Sequence, residues 1–236
     1  MMGRIDLESL QPVIAELQGV DGDRDLDTAL EHVARAVASA FAITGCGIMF
    51  LDDRNVLRYA ASSDEPGRVL ETAQEELGHG PCIDALLLNE PIALQDVCAD
   101  NRWPGLAERV APLGVRAVLG VPIRVGGGAV GSLNVYQDEP HKWDESETQA
   151  LLAFNAVVES LLASALLAHQ RGRAAEQLQY ALDNRVLIER AIGVIMGRRD
   201  NLDAVAAFGE LRHRARNQRR RVGDVAADIL SGRVEM

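Results

Sequence analysis

The chain has 236 residues, of which 47% are hydrophobic, and this suffices for a buried core in one large domain and one small domain. The formal net charge of −11 is unevenly distributed: residues 171–236 hold 13 Arg against 9 Asp and Glu, whereas residues 1–170 hold 11 basic against 26 acidic side chains. An acidic body with a basic tail predicts a polyanionic partner for the tail. Because Lys142 is the only lysine, guanidinium groups carry that charge, which favours RNA or DNA over a lipid surface.

The cysteines and the apolar runs exclude several other classes. Cys46, Cys82 and Cys98 show no C-x-x-C spacing and no histidine at ligand spacing, which argues against a zinc site and a disulfide framework. The sequence contains no apolar run of about 18 residues and no signal-peptide succession. We therefore expect a cytoplasmic protein that does not use a membrane.

The first half of the chain predicts a mixed α/β unit. Residues 5–18 form an amphipathic pattern that predicts a short helix in need of a packing partner. Residues 25–40 predict a capped helix, and the apolar runs 46–51 and 56–60 flank a polar turn, as in a hairpin. The remaining elements are predicted helices at 65–77, 81–89 and 105–113, a strand at 91–96, and a strand pair, 116–125 and 129–136, joined by three glycines.

A long helix is predicted after residue 144, because no proline occurs from there to the end of the chain. Apolar side chains at alternating steps of three and four predict a coiled-coil seam, formed by Leu151, Phe154, Val158, Leu161, Ala165 and Ala168. The pattern continues through Gly172, Ala175, Leu178 or Gln179, and Leu182. It predicts a connecting helix over residues 144–182 that pairs two copies of the chain; the alternative is a helix ending near Arg171, followed by a flexible hinge.

The tail predicts three short helices around a small core. Its three apolar faces are Ile188, Ala191, Ile192 and Ile195; Ala204, Ala207, Phe208, Leu211 and Ala215; and Val222, Val225, Ala226 and Ile229. We expect Gly197 to cap the first of these helices and Asp200 or Asn201 to cap the second.

An arginine stripe lies on the second helix of the tail. Arg212, Arg216 and Arg219 recur at i, i+4 and i+7, which predicts one exposed face. The simpler reading of such a face is a solvated surface that keeps the protein soluble. The acidic body already supplies that solubility, so a binding role is favoured.

The tail resembles the ANTAR domain of transcription antiterminators over residues 174–234. The resemblance rests on Arg185-x-x-Ile-Glu-x-Ala-x-Gly-Val-Ile-Met196, then Ala207-Phe-x-x-Leu-Arg-x-x-Ala215, and then Val222 and Val225-Ala226. Two positions depart from the family pattern, because Ile192 stands where many members have lysine and Arg219 where many have asparagine.

The resemblance implies binding of RNA stem-loops, which prevents a terminator hairpin from forming. The residues that we expect to contact phosphate are Arg185, Arg190, Arg198, Arg199, Arg212, Arg216, Arg219 and Arg220. Gly193 would allow close approach of the RNA, and Met196 with Asn217 would contact bases or the loop.

The region 25–168 resembles a GAF domain. The matching segments are Gly80-Pro-Cys-Ile-Asp-Ala-Leu86, 91–96 with Asn101-Arg-Trp-Pro104, 114–122 and 130–136. The resemblance implies an antiparallel sheet between helices and, in some members, a pocket for a small-molecule ligand, which the sequence does not identify. Cys82 is either a redox sensor near a helix start or a buried structural thiol, and His79 is either a loop histidine or a ligand.

Together these features predict an α+β protein with four parts: an N-terminal helix at 1–24, a GAF sensor domain at 25–168, the connecting helix at 144–182 and an ANTAR three-helix bundle at 174–234. We expect a signal-responsive antitermination regulator that is not an enzyme and needs no cofactor or metal. The alternatives are a DNA-binding regulator and a GAF-type redox enzyme with a structural helical tail. The opposite charges of the two regions also suggest that the acidic body docks on the basic tail and inhibits it.

Overall fold

The computed structural model describes residues 7–18, 26–51, 57–125, 128–167, 173–198, 202–218 and 220–233. The helices in these ranges are α1 Leu7–Gln18, α2 Leu26–Phe41, α3 Glu65–Leu77, α4 Pro81–Leu88, α5 Leu106–Val110, α6 Glu145–Leu167, α7 Arg173–Arg198, α8 Ala204–Gln218 and α9 Val222–Leu230. The strands are β1 Gly45–Leu51, β2 Leu57–Ser62, β3 Ile92–Leu94, β4 Ala117–Val125 and β5 Gly128–Gln137.

The five strands form one sheet in the order β2-β1-β5-β4-β3, and every neighbouring pair is antiparallel. This confirms the predicted fold class and both predicted hairpins. The strand expected at 91–96 is shorter, because Asp96 accepts a hydrogen bond from the backbone N–H of Cys98 at 3.0 Å, which turns the chain away from the sheet.

Helices cover both faces of the sheet, and the first face carries α1, α2 and α6. The rings of Phe41 and Phe154 lie 5.6 Å apart in this layer. The apolar stripe of α1 finds its partner here, since Leu10, Ile14 and Leu17 are buried against α6 and α2. The second face carries α3, α4 and α5 around Trp103 and Tyr136.

Much of the predicted dimer seam is used within a single chain. Leu151, Phe154, Val158 and Leu161 are buried in the layer formed by α1, α2 and α6, so these positions are core residues of the large domain. The sequence pattern could not distinguish a partner helix in the same chain from one in a second copy. Residues 168–172 and the side chains of 165–185 lie outside the described part of the chain, so the rest of the seam and the dimer stay predictions.

The tail folds as the predicted three-helix bundle. Its core is formed by the three expected apolar faces of α7, α8 and α9. The expected caps differ: α7 continues through Gly197 to Arg198, and the side chain of Asp203 accepts the N–H of Ala206 at 2.8 Å at the start of α8. Asp200 and Asn201 lie outside the described residues.

The bundle packs against the large domain. α8 contacts α4, and α7 contacts β1, β5 and α2. Leu87, at the end of α4, packs against the second layer of the large domain and also against the core of the bundle. A small cleft opens beside this contact and is lined by residues of both domains, including Leu86, Ile192 and Phe208.

Candidate nucleic-acid interface

The described part of α7 carries four of the predicted contact residues, and all four are exposed. Arg190, Gly193 and Met196 follow one another at steps of three on the outer side of the helix, whereas Arg198 follows the buried Ile195 by three residues and is exposed at the helix end. A Cβ atom built on Gly193 would meet no atom within 4 Å. Packing inside the chain therefore does not require a glycine at this position, and the open space is available to a partner.

The end of α8 and the turn after it carry three further residues. Arg216 and Asn217 are exposed, and the Asn217 amide lies 2.9 Å from Nε2 of His213. Arg220 is exposed too and forms an ion pair with Asp228 at 2.7 Å, which ties the turn to α9.

The remaining predicted contacts on the tail cannot be placed. Arg199 and Arg219 lie outside the described residues, and the side chain of Arg185 does so as well. These positions stay predictions from the sequence.

The expectation that Arg212 lies on an exposed stripe is wrong. Arg212 is only 8% exposed, and its Nη1 donates a hydrogen bond to the backbone carbonyl of Gly78 at 3.0 Å. The guanidinium also lies 5.8 Å from the ring centre of Phe208, within reach of a cation–π interaction. The first member of the predicted stripe therefore faces the other domain, whereas Arg216 lies one turn beyond that contact and is exposed.

The partner of Arg212 is the C-terminal end of α3. Gly78 adopts φ 80°, the left-handed conformation that ends many helices, and its N–H bonds the carbonyl of Gln74 at 2.8 Å. Carbonyls at a helix C-terminus lack intrahelical donors and form the negative end of the helix dipole. A guanidinium is well suited to this position.

A buried polar cluster lies immediately behind that loop, between α3, α4 and β5. The Asn134 amide donates to Oε1 of Glu71 at 2.9 Å, and the Gln74 side chain accepts the backbone N–H of Cys82 at 2.9 Å and donates to its Sγ at 2.8 Å. All four side chains are inaccessible to solvent. Gly47 on β1 leaves room for the carboxyl of Glu71, which a Cβ atom at that position would strike.

Burial dominates the electrostatics of this cluster. It raises the pKa of Glu71 to about 8, although hydrogen bonds from Asn134 and Cys82 oppose the shift. Burial also raises the pKa of the Cys82 thiol well above its usual value, and the charge of Glu71 adds to this effect. A reactive cysteine needs an accessible, easily formed thiolate, so the environment of Cys82 suits a structural thiol.

His79 links the cluster to the interdomain contact. It is partly buried, and burial lowers its pKa; the nearby charge of Arg212 acts in the same direction, while Asp84 opposes it. Asp84 in turn accepts a hydrogen bond from the indole N–H of Trp103 at 2.9 Å. The sequence singled out His79 as a loop residue or a ligand but gave no sign that its loop contacts the tail, since nothing local marks a contact between residues so distant along the chain.

Within the described ranges, no three His, Cys, Asp or Glu residues are grouped so that they could hold a metal ion. None of the helices in that part of the chain has both the length and the apolar content that crossing a bilayer requires.

The fold and the two domains define a sensor-type α+β domain joined to a helical module with a basic outer face. Comparison with family models identifies both domains. The chain belongs to the GAF domain family, whose model matches residues 25–162, and an ANTAR domain follows at residues 176–230. This order of domains supports a regulator of the antitermination type.

The solved structures that resemble the chain share the fold of the large domain. The GAF domain of an Acinetobacter phosphoenolpyruvate-protein phosphotransferase is 22% identical with a TM-score of 0.54, and the match covers 72% of this chain and 99% of that one. Free methionine-R-sulfoxide reductase from Neisseria meningitidis, in complex with its substrate, is 19% identical with a TM-score of 0.55 over 71% and 97% of the two chains. The comparison with curated proteins gives no match.

Proposed function

We propose that the chain is a cytoplasmic, signal-responsive antitermination regulator that binds stem-loop RNA through its ANTAR domain. The observation that carries this proposal is the exposed face of α7, where Arg190 lies one turn before an open glycine, with Arg198 exposed at the end of the helix, in the segment that matches the family. Arginine grips phosphate with two parallel hydrogen bonds, and a glycine without neighbours lets a backbone approach closely. Arg216, Asn217 and Arg220 extend the proposed surface, and Arg185, Arg199 and Arg219 join it on the evidence of sequence alone.

RNA is the proposed ligand because the groups on this surface suit a folded single strand. Stem-loops present splayed bases and 2′-hydroxyls beside their phosphates, so a mixed surface with cations, a thioether and an amide can contact each part. Met196, which is 39% exposed, and Asn217 supply the non-ionic contacts.

The decisive test is a titration of the full chain with a stem-loop RNA and with a duplex DNA of matched sequence, at about 50 mM and about 200 mM salt. We expect tighter binding of the stem-loop at both concentrations. Affinity for both should fall with salt, since phosphate contacts release counterions. Equal affinity for the two nucleic acids would overturn the proposal, and a preference for the duplex would favour a DNA-binding regulator instead.

We also propose that the chain is not an enzyme. The GAF fold includes sulfoxide reductases, as the Neisseria structure illustrates, so a redox activity has to be weighed. The thiol of Cys82 is buried with a raised pKa, and Cys98 is exposed, so the two cysteines occupy opposite environments. Incubation with methionine sulfoxide and a thiol reductant should give no turnover, and turnover that requires Cys82 would contradict the proposal.

A further inference from the structure

We infer that Arg212 is an autoinhibitory latch: its guanidinium, seated on the carbonyl end of α3, holds the ANTAR bundle against the GAF domain and keeps Arg212 itself, which the sequence predicts to contact RNA, covered. The inference rests on the proposed function and specifies how the GAF domain regulates it.

The contact is a specific one, in which a buried guanidinium is hydrogen-bonded at a helix C-terminus. Arg212 is 8% exposed and donates to the Gly78 carbonyl at 3.0 Å, whereas the arginine one turn later is exposed. A buried guanidinium is costly unless it is well hydrogen-bonded, and the negative end of a helix dipole offsets part of that cost. The docked arrangement therefore engages this particular residue of α8, which is also one of the arginines that the sequence predicts to contact RNA.

Apolar packing supports the same arrangement. Leu87 of α4 packs against the bundle core, and Ile188, Ile192 and Phe208 line the adjoining cleft from the ANTAR side. The contact combines the charged hydrogen bond of Arg212 with this apolar packing, and α7 adds contacts to β1, β5 and α2. Mixed interfaces between domains of one chain commonly allow the domains to move relative to each other, which suits a switch.

The buried polar cluster provides a route by which a signal could release the latch. The loop that presents the Gly78 carbonyl is held by Gln74, whose main-chain carbonyl accepts the N–H of Gly78 and whose side chain bonds the backbone of Cys82. A Cβ atom on Gly80 would strike the Gln74 side chain, so the loop fits closely over this residue. A displacement of Gln74 would therefore shift the carbonyl on which Arg212 rests.

The test opens the contact from the GAF side, because substitution of Arg212 itself would also remove a proposed RNA contact. Leu87→Glu in the full chain places a carboxylate in the apolar patch. Leu88→Glu is the matched control, since Leu88 is the next residue of α4 and is 42% exposed. Circular dichroism checks the fold of both variants, and Leu87→Ala, which leaves a smaller defect, replaces Leu87→Glu if that variant fails to fold.

We expect Leu87→Glu to bind the stem-loop RNA at least about fivefold more tightly than the unmodified chain, and Leu88→Glu to bind with unchanged affinity. Hydrogen exchange of α8 should be faster in Leu87→Glu alone, a readout that does not involve RNA. Equal RNA affinity in all three proteins, or unchanged exchange of α8, would overturn the latch and leave the proposed function standing. If no variant bound the stem-loop, the proposed function itself would fail.

Discussion

At the scale of single residues, a substitution at Gly193 should change the stability and the RNA affinity in opposite directions. It lies in the interior of α7 with open space around it. Gly193→Ala should raise the free energy of unfolding by about 1 kcal/mol, because alanine loses less backbone entropy than glycine in a helix. The same methyl group should weaken RNA binding, since it stands where we propose that the nucleic acid approaches.

Gly209→Ala is the matched control for this prediction. Gly209 is also an exposed helical glycine with open space, on α8, and it is not part of the proposed surface. Urea unfolding should show a similar gain for both variants, while the RNA titration should show a loss only for Gly193→Ala. A loss of affinity in both would mean that the methyl group acts through the bundle and not at the surface.

The raised pKa of Glu71 should make the stability of the fold depend on pH. Its pKa is about 8 in the folded chain against an ordinary value of 4.5, so between these limits the unfolded chain releases a proton that the folded chain keeps. The contribution of Glu71 is therefore complete below about pH 4.5 and is lost as the pH rises through about 8. The free energy of unfolding should fall by up to about 1.4 kcal/mol per pH unit within that range.

Glu71→Gln should flatten this slope, since glutamine carries no titrating proton, and urea unfolding at a series of pH values measures it. Glu108→Gln replaces an exposed carboxylate on α5 and should leave the slope as it is. A slope that persists in Glu71→Gln would assign the pH dependence to other groups.

At the scale of elements, local sequence patterns predicted the helices and hairpins, whose residues are close together in the sequence. The stripes of α7, α8 and α9, the two hairpins and α3 all follow from apolar spacing and turn residues, because each buries a face that the sequence itself marks. The apolar spacing does not show which element will pack against such a face. The stripe on α6 fits a second chain and its own α1 equally well by spacing, and only the fold shows that α1 and α2 cover it.

In the candidate interface too, the sequence predicted the local features and missed the contact between distant residues. Exposure of Arg190 agrees with its helical position, because it lies away from the apolar face of α7, whereas Arg198 and Arg216 are exposed near the ends of their helices. Arg212 lies one turn before Arg216 but meets a surface from 134 residues away in the chain. A contact to a backbone carbonyl also leaves no complementary side chain in the sequence, so no charge pattern could have indicated it.

At the scale of the whole molecule, we predict a homodimer paired through the connecting helix. Leu178 lies on the predicted seam, and its side chain is outside the described part of the chain. Leu178→Glu should convert the dimer to a monomer in sedimentation, because a carboxylate in a helical seam has no favourable partner there. Leu88→Glu, which changes an exposed leucine of the GAF domain, should remain dimeric.

A monomeric unmodified chain would remove the dimer from the proposal without affecting the binding surface. A dimer that survives Leu178→Glu would instead place the pairing outside the connecting helix.

The carbonyl that receives Arg212 belongs to the main chain, and this has a genetic consequence. Any residue at position 78 keeps a main-chain carbonyl, so no amino-acid substitution there removes the acceptor, and it can act only by straining the left-handed turn. A selection for constitutive antitermination should therefore recover alleles at Gly78 only through that strain. It should also recover alleles in the apolar surroundings of Leu87 and in the residues that hold the loop. Mutations that release the contact would therefore disturb the surroundings of the hydrogen bond and would not remove its acceptor atom.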